Sequence, residues 1–167
     1  MHTPRAGTHL RASVGDQTVS IVFANGRRNS FNQLTRPQEA IIANETALYL
    51  NGISDRTPFE HTVTAPSGCI PSAAIRAECK IYYIKPELFD LGKTVIKTPA
   101  GNDVSVYDME RTICDIIRSR NKLGTETFLA ALKLYASNPK KDLNKLASYA
   151  KELRVANVLR QYLEVLL

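Results

Sequence analysis

Tryptophan is absent from this chain, aromatic residues make up only 7% of it, and its three cysteines and three histidines lie far apart. Cys69, Cys79 and Cys114 form no CxxC, and His2, His9 and His61 do not join them at zinc-site spacing, which argues against a structural metal. An odd number of scattered cysteines also argues against a disulfide framework and reads as three separate reduced thiols. No apolar run approaches the roughly eighteen residues of a helical membrane span. Val19 to Ala24 is short and weak as the apolar region of a signal peptide, even with Arg5 and Arg11 ahead of it. The expectation is a cytoplasmic protein with no membrane partner. A glycine-rich phosphate loop, an HExxH and a Ser/His/Asp arrangement are missing as well, so no cofactor and no metal are expected.

What is present describes a globular chain. With 44% hydrophobic and 23% charged residues over 167 positions, it has the composition and length of one main domain. The net charge of +6 is unevenly spread. Residues 1 to 36 carry five arginines against Asp16, residues 37 to 117 carry seven basic against eleven acidic groups, and residues 118 to 167 carry ten basic against four acidic. Basic ends around an acidic middle suit a nucleic acid or an acidic protein, while the dispersed lysines of the tail serve solubility equally well.

Residues 1 to 36 read as an irregular basic segment with one short strand, Val19 to Ala24, before the Asn25-Gly26 turn signal. Thr35 and Gln38 have capping-box spacing and Pro37 fits a first helical turn, so a helix is predicted from Pro37 to Leu50, ended by Gly52. The middle then changes period. His61–Thr64, Lys80–Ile84, Thr94–Lys97 and Val104–Tyr107 are short β-rich runs, the last two joined by a hairpin turn at Pro99–Asp103. Helices are predicted from Asp108 to Arg120, around Phe128 to Tyr135, after the N-cap Asp142, and from Val155 to Leu166. The fold class is therefore α+β, with a small mixed or antiparallel sheet, an N-terminal helix and a helical C-terminal half. Ile41, Leu48, Val63, Ile81, Tyr83, Val95, Val106, Ile113, Ile116, Phe128, Leu132, Leu146, Leu159 and Leu163 are the predicted core.

The densest signal is the stretch from Asp108 to Arg118. On a helix Asp108, Arg111, Asp115 and Arg118 form one ridge, and Met109, Ile113, Ile116 and Ile117 the opposite face. Opposite charges three and four apart brace such a helix by roughly 0.2–0.5 kcal/mol per pair. Asp108, Glu110, Arg111, Asp115 and Arg118 are thus candidates for a fold-defining or interaction role, with a brace tying helix to sheet ranked ahead of a partner contact. Asp55 and Arg56, in a loop bounded by Gly52 and Pro58, suit partner contact and turn formation equally. Tyr49 and Tyr107 read as core-edge tyrosines, and Cys114 as an inert thiol on the border between the helix faces.

One enzymatic alternative exists. Glu78-Cys79-Lys80 has the acidic-x-lysine form of metal-dependent nucleases, with Asp55 as a second carboxylate to share Mg²⁺ and Lys80 to stabilise developing charge. Sixteen acidic residues and ten lysines in this chain produce about one such triplet by chance, so catalysis is not expected.

Several pieces, in a consistent order from residue 39 to 167, resemble the AbiEi family of antitoxins from bacterial abortive-infection systems. They are Glu45–Leu50, Gly52–Pro58, His61–Thr64, Gly92 with its following strand, Val106–Arg118 and the ending Tyr162–Leu167. The resemblance implies an antitoxin domain over residues 37 to 167 that counters a nucleotidyltransferase-like toxin, directly or indirectly. It also implies a preceding winged-helix domain that binds the promoter. The residues before Pro37 show no recognition helix, so the DNA reader is expected to be missing and DNA binding to be weak, nonspecific and salt-sensitive. Asn44 and Asn51 stand where the family pattern has histidines, which removes any imidazole role there. A non-catalytic interaction module is the remaining alternative.

Overall fold

The computed structural model describes residues 8–14, 17–23, 40–97 and 103–166. Strands β1 (Thr8–Val14) and β2 (Gln17–Phe23) form an antiparallel pair whose register closes with Val14 opposite Gln17. The expected strand at Val19 is thus longer toward its N-terminus and has an unexpected partner in a stretch read as irregular. The period of two is present there, with Leu10, Ala12 and Val14 alternating with His9, Arg11 and Ser13.

Five further strands make one mixed sheet. These are β3 (Ile41–Ile42), β4 (His61–Pro66), β5 (Cys79–Ile84), β6 (Lys93–Lys97) and β7 (Asp103–Tyr107), in the spatial order β5-β4-β3-β7-β6. The two outer pairs differ in direction, β4 with β5 parallel and β6 with β7 antiparallel. Between them β3 runs antiparallel to β4 and parallel to β7. Lys97 opposite Asp103 fits the expected hairpin, although residues 98–102 lie outside the described residues.

The predicted helix from Pro37 to Leu50 requires correction. Ile41 and Ile42 are strand, and helix α1 spans only Asn44–Leu50. Ile42 packs with Ala47, Leu50, Val104 and Val106, whereas Ile41 belongs to the main core on the other side. Neighbouring residues that face opposite ways have the period of a strand. Asn44 makes the change of direction at φ 48°, a left-handed conformation that asparagine tolerates better than most residues. Thr35, Pro37 and Gln38 lie outside the described residues. At the other end Gly52 stops α1 as expected, with φ 70°, its N–H donating to the Tyr49 carbonyl and that of Ile53 to the Leu48 carbonyl.

Five helices follow: α2 (Ala73–Glu78), α3 (Met109–Arg118), α4 (Thr125–Ser137), α5 (Leu143–Glu152) and α6 (Ala156–Leu166). All but the short α2 were legible from periodicity. Asp108 caps α3 by accepting from the Arg111 N–H at 2.9 Å, and Asp142 caps α5 by accepting from Lys145 N–H at 3.0 Å. The C-terminal helices close the main core with the apolar face of α3, where Ile113, Ile116 and Ile117 meet Phe128, Leu132, Leu146 and Leu159. The sheet's opposite face carries smaller clusters, one with Ala47 and Leu50 of α1 and one with Ile75 of α2.

Two expected core positions are corrected. Tyr83 and Val95 are 52% and 54% exposed. Both stand on the outermost strands, β5 and β6, where helical cover runs out. Ile81 and Leu163 are partly buried, and the other expected core residues are buried. No helix among the described residues is long and apolar enough to cross a membrane.

Candidate functional site

Helix α3 carries its charges inward as well as its isoleucines. Arg111 has no exposure at all. Its Nε donates to Asp115 Oδ2 at 3.1 Å, and its Nη1 donates to the carbonyls of Leu88 and Leu91 at 2.9 and 2.6 Å, in the turn between β5 and β6. The guanidinium also lies 4.1 Å from the centre of the Tyr107 ring, whose hydroxyl donates to the Phe89 carbonyl. Gly92 sits beside this contact at φ 76°, with no room for a side chain against Arg111. One arginine therefore ties α3 to β7 and to the turn before β6.

Asp115 takes the weaker second partner Arg118, with Nη1 to Oδ1 at 3.6 Å. Burial pushes the Asp115 carboxyl above its ordinary range, and the two arginines pull against that shift. Desolvation likewise raises Cys114 to about 12, so its thiol stays neutral and inert, as expected.

The remaining charges of the motif form the seam with α5. Asp108 Oδ2 meets Lys145 Nζ at 2.9 Å and accepts from the Tyr149 hydroxyl at 3.2 Å. Glu110, also buried, accepts from the Asp142 N–H at 3.1 Å and faces Lys145 at 3.6 Å. Of the five candidates on this helix, Glu110, Arg111 and Asp115 are enclosed by the fold and Asp108 is largely covered; a partner approaching α3 would meet Arg118. Asn51 is structural too, its Nδ2 donating to the Tyr107 carbonyl at 2.9 Å and so tying α1 to β7.

Asp55 and Arg56 are exposed on the loop after α1. Ser54 Oγ accepts from the Arg56 N–H at 3.2 Å and shapes the turn. The Arg56 guanidinium lies 3.9 Å from Glu126 at the start of α4, a solvated pair of little energetic weight. Loop and helix enclose a shallow cleft of about 130 Å³ that includes Thr127 and Leu134. These two charges are the sequence-predicted candidates best placed to meet another molecule.

A larger cleft, of about 320 Å³, lies between β5 and the end of α3. Lys80, Tyr82, Arg118, Lys122, Asn44 and Asp115 contribute to its walls. Lys80 therefore lies on a different cleft from Asp55, and Glu78 is exposed at the end of α2. Among the described residues no group of three His, Cys, Asp or Glu side chains could hold a metal ion. Sequence reasoning missed Tyr82 and Lys122, which are forty residues apart and meet only through the fold.

Compared with protein-family models and with curated proteins, the chain matches none.

Proposed function

We propose that residues 37–167 form an antitoxin domain of the AbiEi kind, which counters a nucleotidyltransferase-like toxin and performs no catalysis itself. The observation that carries the reading is the ordered run of motifs between residues 39 and 167, from Glu45–Leu50 through Gly52–Pro58 to Val106–Arg118. Its support is that these motifs serve one structural unit. Asn51 ties α1 to β7, and Arg111 reaches the turn that precedes Gly92. Within that unit the exposed loop at Asp55 and Arg56 is the part free to meet the toxin or an intermediary, whereas Arg111 and Asp115 act by holding the domain together. The basic N-terminal segment contributes at most weak, salt-sensitive contact with DNA.

The test is co-expression of the full chain with the nucleotidyltransferase-like product of an adjacent gene, scoring growth and protein abundance together. Rescue is expected, with Asp55→Ala and Arg56→Ala weakening it at unchanged abundance, and Arg111→Ala weakening it through lost abundance. An abundant, folded chain that gives no rescue would sink the reading. Cleavage of DNA or RNA in Mg²⁺ that disappears in Glu78→Gln and Lys80→Ala would replace it with the nuclease.

A further inference from the structure

We infer that the cleft between the outer strand β5 and the C-terminal end of α3 binds a small phosphate-bearing ligand, of the size of a diphosphate or a mononucleotide. The first support is charge. Lys80, Arg118 and Lys122 line the cleft against the single carboxylate Asp115, which suits a dianion. Arg118 is partly engaged by Asp115. The other two cations face one aromatic wall, with their ammonium groups 5.5 and 5.7 Å from the centre of the Tyr82 ring. The carbonyls at the end of α3 would oppose an anion. Arg120 blunts that effect by donating to the Ile117 carbonyl at 3.0 Å.

The second support is independent of charge. Asn44 is 1% exposed, and its amide oxygen has no hydrogen-bond partner among the described residues; the buried Tyr82 hydroxyl lies beside the Lys80 ammonium. Both residues line this cleft. Buried polar groups in native proteins are almost always satisfied, and an orphan amide oxygen beside three cations marks a place prepared for a polar molecule. Phosphate oxygens accept from Tyr82 and the lysines, while a ligand hydroxyl or amine donates to Asn44. The volume stands at the lower end for small-molecule sites and, being concave, favours a compact ligand over a flat macromolecular face.

The test is calorimetric titration of the full chain with inorganic pyrophosphate and, separately, ATP, at ionic strength held constant with chloride. One saturable site per chain is expected, weakened at least tenfold by Lys80→Ala with Lys122→Ala, both side chains being at the surface. Asn44→Gly is the second variant, since glycine accepts φ 48° without strain. Tighter binding of ATP than of pyrophosphate, with the difference lost in Asn44→Gly, assigns the site to a nucleotide; equal affinities assign it to inorganic diphosphate. Absence of saturation, titration curves unchanged by the double lysine variant, or affinity for an RNA oligonucleotide alone would overturn the inference. Because the readout is binding and not growth, its failure leaves the antitoxin reading standing, and the converse also holds.

Discussion

Arg111 is fully buried and joins Asp115, the Tyr107 ring and the carbonyls of Leu88 and Leu91 in one contact. A surface ion pair of the same spacing contributes a few tenths of a kcal/mol, but here both partners are buried and the logic changes. Removing the guanidinium leaves buried Asp115 with only the weaker partner Arg118 and takes the side-chain donor from the Leu88 and Leu91 carbonyls. Arg111→Ala is therefore expected to cost on the order of 3–5 kcal/mol in urea unfolding. Arg111→Lys should recover little of it, because an ammonium cannot reproduce the fork between Asp115, Leu88 and Leu91 or the stacking on Tyr107. The neighbouring Gly92 tests the same contact from the other side. A Cβ there would stand 2.5 Å from the Cβ of Arg111 at φ 76°. Gly92→Ala should accordingly lose about 1–3 kcal/mol from backbone strain, and more from the clash. A neutral result would show that the turn relaxes away from α3.

The elements with strong local signals were the ones legible in the sequence. Asp108 and Asp142 as caps, Gly52 as a stop, and the 3.6-residue period of α3 to α6 all depend on nearby residues. Strand β3 does not. Two residues have no measurable period, and Ile41–Ile42 became strand because Thr64, Val63 and Val106 pair with them from distant parts of the chain. The charges of α3 were correctly grouped, yet their burial was not legible, since a charged ridge looks the same whether water or Leu91 faces it. Tyr83 and Val95 failed for a related reason: strand order, not composition, places them at the edges. The cleft lined by Lys80, Tyr82 and Lys122 likewise exists only once β5 lies beside the end of α3. The seam between α3 and α5 carries a pH prediction. Burial raises Cys114 from 9.0 to about 12, and the hydrogen bond to Asp108 raises Lys145 above its ordinary value. A group whose folded value is raised contributes stability that is fully present below its unfolded value and lost as pH rises through the folded one. Thermal stability should thus fall as the pH climbs from about 9 to 12. Cys114→Ala should remove the thiol's share of that slope and leave the Lys145 share, and a profile flat up to pH 12 would contradict this account.

At the scale of the whole molecule the three cysteines report on integrity. Cys69 is exposed, while Cys79 and Cys114 are buried, on opposite sides of the sheet. Burial also raises Cys79 to about 11. Alkylation of the native protein at pH 8 should label Cys69 quickly, and mass spectrometry should find the other two modified only under conditions that unfold the domain. Early labelling of Cys79 alone would reveal that the β4–β5 side opens by itself. That outcome would divide the sheet at its narrowest join.

The position of that join has a consequence for how the domain comes into being. Strand β3 is made early and stands at the centre, yet its neighbour β7 leaves the ribosome only after β4, β5 and β6 have been synthesised. Until then the growing chain can assemble β3, β4 and β5 but must carry an open edge along Ile42, and closing it requires a contact of long sequence separation, the kind that slows folding. The nascent protein therefore passes through a stage with unpaired strand backbone and uncovered isoleucines, the condition in which aggregation competes with folding and a chaperone has most effect.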